Sequence, residues 1–382
     1  MTSELSSLCS YAKGKVSVDT LSKRNYVSTE NMMPNKGGIV DAGALPSAQY
    51  TQQYIKDDIL VSNIRPYFKK IWMADDDGGC SNDVLVFRAD RGCDSTFLYY
   101  ILANDAFFNY ASATSKGTKM PRGDKTAIMQ YKVPCFNYET QLRIGKLLRS
   151  IDDRIAVNKK INDNLEQQAQ ALFQELFIEN ADPEWREGTI SDLGTVVGGS
   201  TPSKSKPEYY TEHGIAWITP KDLSVNKSKF ITHGENDITE LGLKNSSASI
   251  MPEGTVLFSS RAPIGYIAIA AGEVTTNQGF KSVIPRPAIG TPFVYYFLKN
   301  ALPTIEGMAS GSTFKEVSGS TMKIVPAFIP DDETLARFTE FCSPIFEQQQ
   351  MLERQNQSLA TLRDSLLPKL MSGEIDVSDV SI

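Results

Sequence analysis

ETQLRIGKLLRSI, Glu139 to Ile151, and ETLARFTEFCSPI, Glu333 to Ile345, stand 194 residues apart in one chain. Reading them as two copies of one helix decides the fold, because the copying continues outward from them. FLYYILAN (Phe97–Asn104) pairs with FVYYFLKN (Phe293–Asn300) at an offset of 196, and ILVSNIRP (Ile59–Pro66) with VLFSSRAP (Val256–Pro263) at 197. GTKM from Gly117 resembles GSTF from Gly311, and VPCF from Val133 resembles VPAF from Val325. The offset drifts ahead of the helices, where loops differ in length, and is constant inside them, where spacing sets geometry. A repeat of this length predicts two copies of one unit and a pseudo-two-fold axis.

Each copy reads as a mixed domain followed by a long helix. Short β-rich runs at Ile59–Ser62, Val84–Phe87, Thr255–Phe258 and Tyr266–Ala270 lie between Gly, Asn, Asp and Pro turns. One short helix is expected in each domain, at FLYYILAN and FVYYFLKN. No regular strand–helix–strand alternation appears, so the class is α+β. The expected organisation is a mixed domain over 1–136, a helical region over 137–180, a second mixed domain over 181–330 and a second helical region over 331–382.

The helices carry a heptad pattern. Its inner positions are Ile151, Ile155, Asn158, Asn162, Leu165, Ala169, Leu172 and Leu176, then Ile345, Gln349, Leu352, Asn356, Leu359, Arg363, Leu366 and Leu370. Alternating steps of four and three mark a coiled-coil seam. Related by a perpendicular two-fold, the two helices would pack antiparallel; packing of each on its own domain is the alternative. Pro368 is expected to kink or stop the second helix. Asn162 and Asn356 fall at equivalent places, where a polar seam residue fixes register at a cost in stability. The Ile151–Phe177 run spans about 40 Å at 1.5 Å per residue.

The 382 residues are 41% hydrophobic and 22% charged, ordinary for a soluble globular chain and unlike disordered or collagen-like ones. No run approaches the roughly 20 apolar residues of a membrane helix, and MTSELSSLCSYAKGK lacks the apolar core of a secretory signal. Five cysteines (Cys9, Cys80, Cys93, Cys135, Cys342) without a CxxC pair predict reduced thiols in a cytoplasm. Against 39 Lys and Arg stand 45 Asp and Glu, a net charge of −6. Basic and acidic residues number 16 and 14 in 1–136, 6 and 7 in 137–180, 13 and 14 in 181–330, and 4 and 10 in 331–382. The acidity therefore belongs to the last segment, which reads as a surface for partners. The near-neutral heads can still present a local basic face.

Signatures of chemistry are missing. There is no GxxxxGK[ST], no GxGxxG after a strand and no GxSxG. His213 and His233 have no second His or Cys at ligand spacing, so no metal site is expected. Asp75, Asp76 and Asp77 read as a solvated turn, with a cation site as the lesser alternative. The Asn/Asp-Pro-Pro-aromatic tetrapeptide with which amino-methyltransferases hold an extruded adenine is also absent.

The duplication and several ordered strings resemble the specificity subunit of type I restriction-modification systems. The strings are GGSTPSKSKPEYY from Gly198, GIAWITPKDLS from Gly214, VLFSSRAPIGYIAIA from Val256, TTNQGFKSVIP from Thr275 and RDSLLPKLMSGEI from Arg363. ILVSNIRPYFKKIW from Ile59 and GGCSNDVLVFRA from Gly78 supply the first half. The resemblance covers nearly the whole chain. It implies two target recognition domains, each reading one half of a split, asymmetric sequence in double-stranded DNA. It implies an antiparallel helix pair that sets the unread spacer and docks two methyltransferase subunits. Those partners would bring S-adenosylmethionine and methylate adenine at N6, and restriction subunits would use ATP and Mg. This chain itself would bind no cofactor and catalyse nothing. A rod of 40 Å would hold the heads a little over one DNA turn apart. The first half departs from the pattern: YVSTENMMPNKGGI from Tyr26 is its nearest counterpart of GGSTPSKS and WITPKDLS.

Base readout needs donors and acceptors on loops that enter a groove, with Lys or Arg on phosphates. In the second domain the candidates are Thr201, Ser203 and Lys204, then Lys221 and Asp222 after the aromatic strand. Ser259, Ser260 and Arg261 follow at the next strand end, and Asn277, Gln278 and Lys281 lie in the TTNQGFK turn. Arg261 suits guanine and Asn277 or Gln278 adenine, while local backbone capping is the other use of Asn277. In the first domain Asn63, Arg65, Lys69 and Lys70 form the matching strand end, and Ser81 and Asn82 the matching turn. Lys116, Lys119, Arg122 and Lys125 form a basic loop with few acids, either a phosphate clamp or a solvated surface. Tyr99, Tyr100, Tyr295 and Tyr296 read as core. A coiled-coil scaffold that leaves DNA untouched is the competing function, and an enzyme of unrecognised type a third.

Overall fold

The computed structural model describes residues 2–311 and 315–377. Ser312–Phe314 of the GSTF string lie outside the described residues. The chain divides into two compact units, Met1–Ala156 with Gln357–Ile382, and Val157–Asn356. Both divisions fall inside a long helix.

In the first unit the four residues Ile59–Ser62 are all buried, because this strand is central and covered on both faces. The antiparallel order around it is Cys9–Tyr11, Val84–Ala89, Ile59–Ser62, Ile71–Met73. Side chains alternate between faces along a strand. Ile59, Val61, Leu85 and Phe87 therefore pack with the helices Ser95–Ala103 and Asp105–Ala113. Leu60, Val84 and Val86 pack the other way, with Val27, Met32 and Tyr54. A second sheet runs Lys15–Ser17, Tyr50–Tyr54, Gly78–Cys80, Tyr26–Val27, its last pair parallel.

The second unit repeats the plan. Val256–Ser260 is the central strand in the order Gly194–Gly198, Lys281–Pro285, Val256–Ser260, Ile264–Ala270, Phe230–Ile231. Val256 and Phe258 face the helix Thr291–Asn300, and Leu257 the opposite core. The second sheet differs. Its outer antiparallel strands, Tyr210–Thr211 and Asn236–Ile238, attach to Ile215–Ile218, whereas in the first unit the corresponding ladder attaches to Gly78–Cys80. The repeat fades in sequence over this same sheet. Each mixed domain also holds more helix than one short segment, including Asp105–Ala113 and Lys125–Met129 in the first, and Pro220–Val225, Glu240–Lys244, Leu302–Gly307 and Gly319–Lys323 in the second. These extra helices are too short to show a period, and most begin at a capping Asp, Asn, Ser or Thr.

The long helices are Tyr138–Gln174, closed by a wide turn at Glu175–Glu179, and Asp332–Ser372. Pro368 neither stops nor ends the second helix, which also runs through Pro344. Both prolines are exposed, so the carbonyls they leave without an N–H partner can turn to water. Gly373, at φ +76°, makes the stop. Within the second unit Asn158 Nδ2 donates to Gln355 Oε1 (2.8 Å) and Asn356 Oδ1 (2.9 Å), and Gln349 Nε2 to the Asn162 carbonyl (3.2 Å). Numbers rise along one helix as they fall along the other, so these stretches are antiparallel. Asn356 meets Asn158 and not Asn162. Ala169 and Leu176 of the seam are buried there with Ile345, while Leu165 and Leu172 flank the same core and Leu352 is buried. In the first unit Ile151 is buried, Ile155, Leu359 and Leu366 are half-buried, and Leu367 and Leu370 join the core of Ile144 and Leu148. Tyr100, Tyr295 and Tyr296 are core residues.

Candidate nucleic-acid interface

In the second unit a loop crosses a strand end at Gly199. A Cβ there would stand 2.0 Å from the Asn277 carbonyl and 2.4 Å from that of Thr276, so only glycine fits. Ser200 N then donates to the Thr276 carbonyl (2.9 Å). Trp217 Nε1 donates to the Ser200 carbonyl (2.9 Å), and the Tyr210 hydroxyl to that of Pro202 (2.6 Å). These bonds hold the GGSTPSKS loop over the aromatic strand. Beside it opens a cleft of about 660 Å³, lined by Thr201, Lys204, Lys221, Asp222, Arg261, Asn277 and Gln278. Seven residues from four separated strings thus share one surface.

Their side chains are not equally free. Thr201 donates to Gln278 Oε1. Asn277 Oδ1 accepts from Gly279 N (2.8 Å), the local capping use. Asp222 closes a capping box on Thr219 and accepts from Glu235 N (2.8 Å). Lys221 Nζ pairs with Glu235 (2.5 Å), which raises its pKa. Arg261 Nη1 pairs with Glu316 (3.3 Å), and Lys281 Nζ stands 3.8 Å from the same carboxylate. Burial lowers the Lys281 pKa and Glu316 opposes the shift. Lys281 begins a strand and does not line the cleft. Ser259 and Ser260 are fully buried, donating to the carbonyls of Pro263 (2.8 Å) and Gly279 (3.1 Å). Ser203 is exposed and bonded to Ser205. Tyr210, Trp217, Glu235 and Glu316 complete the surroundings and were not singled out from sequence. Trp217 lies in a quoted string, but Glu235 and Glu316 are 14 and 55 residues from the bases they meet.

The first unit scatters its candidates more widely. Asn63 is buried, its Oδ1 without a hydrogen-bond partner, and so is Arg65 Nε. Arg65 adopts φ +51°, as Ala262 adopts +53° at the equivalent place, and each precedes a proline. Lys69 and Lys36 both pair with Asp105 (2.8 and 2.9 Å), and together hold its pKa down, Lys69 foremost. Lys70 donates to the Thr29 carbonyl (2.6 Å), and burial lowers its pKa. Ser81 Oγ accepts from Asp83 N (3.3 Å). Asn82 and Lys125 line a cavity of about 370 Å³ with Lys13, Lys15 and Gln52. The basic loop is partly neutralised: Lys116 pairs with Asp124 (2.5 Å) and Arg122 with Asp83 (3.0 Å), while Lys119 and Lys125 are exposed.

The units share one backbone device with inverted charge. Asn63 N donates to the Asp83 carbonyl and Gly123 N to that of Asn63; Ser260 N donates to the Gly279 carbonyl and Val317 N to that of Ser260. On this frame the first unit places Asp83 against Arg122, the second Arg261 and Lys281 against Glu316. Among the described residues no group of three His, Cys, Asp or Glu is placed to hold a metal, and no helix is long and apolar enough to cross a membrane.

The chain matches the family model of the type I restriction modification DNA specificity domain twice, over 1–167 and 183–363. It is 39% identical to the MjaIX type I restriction enzyme specificity subunit of Methanocaldococcus jannaschii, over 49% of this chain and 44% of that protein. With the HindI specificity subunit of Haemophilus influenzae it shares 25% identity across 92% of this chain and 94% of that one. In fold it resembles the type I restriction-modification S subunit from M. genitalium, with a TM-score of 0.59 and 18% identity over 97% of this chain and 96% of that one.

Proposed function

We propose, for a chain that belongs to the type I restriction modification DNA specificity family, that its two mixed domains each read one half of a split, asymmetric DNA sequence. Membership makes it a non-catalytic specificity subunit with two recognition domains. We assign the recognition domains to 1–136 and 181–330, the spacer helix to 137–180 and its C-terminal partner to 331–382. The helix pair sets the unread spacer and docks two methyltransferase subunits. Those bring S-adenosylmethionine and methylate adenine at N6; restriction subunits supply ATP-driven cleavage. The complex works in the cytoplasm.

The observation that carries this reading is the cleft of the second unit, where Thr201, Lys204, Lys221, Arg261 and Gln278 offer donors and acceptors above an aromatic floor. Arg261 and Gln278 are assigned to base edges, and Lys204 and Lys221 to phosphates. Ser259, Ser260, Asp222 and Asn277 are assigned to holding the frame, because their side chains are already bonded to it. In the first domain Lys119 and Lys125 are assigned to phosphates and Asn82 to a base edge, with Lys69, Lys70, Lys116 and Arg122 reaching DNA on release of their present partners.

Methylome sequencing of cells carrying the whole system tests the reading. The expected result is one split motif with methyladenine in each half, of which only one half changes when residues 181–330 are exchanged for those of a relative. A scaffold that leaves DNA untouched would yield no motif that follows this chain.

A further inference from the structure

Lys229 is a charged side chain sealed inside the second unit, 7% exposed. It stands at the start of the edge strand Phe230–Ile231, which pairs in parallel with Ile264–Ala270. Its ammonium donates to Glu166 (2.8 Å), Gln349 Oε1 (2.9 Å) and the Tyr296 hydroxyl (3.1 Å), so all three hydrogens are used. Phe346 lies under it at 3.6 Å from the ring centroid, and Tyr295 at 4.6 Å. Glu353 accepts from the backbone N–H groups of Lys229 (2.9 Å) and Phe230 (3.1 Å). The second oxygen of Glu166 takes Lys299 (2.7 Å). One strand edge of the recognition domain is thus bonded to Glu166 from the first long helix and to Gln349 and Glu353 from the second.

A buried ion pair is a poor source of stability, since apolar residues of like volume usually serve as well. Its best-attested use is to permit a single register. The first unit holds a related device: Tyr100 donates to Asp152 Oδ2 (2.5 Å), whose other oxygen meets Arg363 (2.6 Å). Tyr100 and Tyr296 are equivalent in the repeat, so each head is tied to a helix carboxylate, itself bonded to a base, through the same tyrosine.

We propose that Lys229 is a positioning residue that seats the second recognition domain on the helix pair in one orientation, and thereby restricts the spacer length the protein accepts. The inference rests on the reading of two half-sites separated by a helix-set spacer.

The experiment uses the complete complex with its methyltransferase partners, on duplexes carrying both half-sites with the native spacer and with one base pair more or fewer. Native complex should prefer its own spacer at least tenfold; no preference there would remove the parent reading before any variant is examined. Lys229→Met should reduce the preference to threefold or less while leaving discrimination at single bases of the second half-site unchanged. Tyr296→Phe, which removes the hydroxyl's two hydrogen bonds, from Lys229 and to Glu166, and keeps the packing, should give an intermediate value and serves if Lys229→Met does not fold. A tenfold preference retained in the folded variants would overturn the proposal. So would spacer and base discrimination declining by the same factor, the mark of general loosening.

Discussion

The side-chain amide of Asn158 donates to Asn356 Oδ1 at 2.9 Å, joining the two long helices within the second unit. Asn158 is buried and also serves Gln355. Asn158→Ala should therefore cost about 1–2 kcal/mol in urea unfolding. Asn158→Leu should cost less, and should loosen the antiparallel register. Disulfide trapping between cysteines placed at 162 and 349 reads that register. Equal trapping in the Leu variant would refute a registering role.

Gly199→Ala forces a Cβ into the Thr276 and Asn277 carbonyls. Because the obstruction is backbone, the loop must move, at about 3 kcal/mol. The expected result is loss of binding at the second half-site with the first half-site still methylated or footprinted. Full binding would show that the crossing can shift without consequence.

Arg261→Ala should relax one position of the second half-site, by about 1–3 kcal/mol. A loss equal for all single-base variants would reassign Arg261 to a phosphate. Glu316→Gln, which releases the guanidinium from its carboxylate partner, should strengthen non-specific binding and weaken the contrast between cognate and altered bases.

Lys119→Ala should weaken binding about uniformly across sequences and reduce the slope of log K against log salt by about one. A sequence-dependent effect would place Lys119 on a base.

Burial alone would raise the Glu166 carboxyl, but Lys229 and Lys299 draw it from 4.5 down to about 2. Its folded value lies below its unfolded one. The stability it contributes is thus complete above about pH 4.5 and lost as the pH falls toward 2. Glu166→Gln should flatten this acid limb in unfolding experiments between pH 5 and about 2.5. An unchanged acid limb would show that the carboxylate titrates normally.

The repeated strands, the two tyrosine-bearing helices and the long helices are legible because each is a string whose apolar spacing states its period. The cleft is legible in part. Thr201, Arg261 and Gln278 sit at strand ends or in Gly-rich turns, and Lys221 in the first turn of a short helix, where side chains face outward. What stands opposite them is not: Glu235 and Glu316 come from loops placed by tertiary packing, and Lys229 lies in a polar stretch, SVNKSKF, with no pattern to mark burial. The different attachment of the outer strands in the two units rests on short, weakly apolar ladders, where local propensity does not choose the neighbour. Pro368 does not stop its helix, because the carbonyl it frees can reach water.

The first unit is assembled from two stretches of chain, Met1–Ala156 and Gln357–Ile382. Leu367, Leu370 and Val377 are buried in the same core as Leu5 and Phe97. During synthesis this head is started before the second and finished after it, because the residues that close its core leave the ribosome after the whole of the second unit. A chain cut after residue 356 would hold every residue of the second unit and leave the first one open. Loss of Leu367, Leu370 and Val377 would thus strike the unit whose other core residues precede the whole of the second.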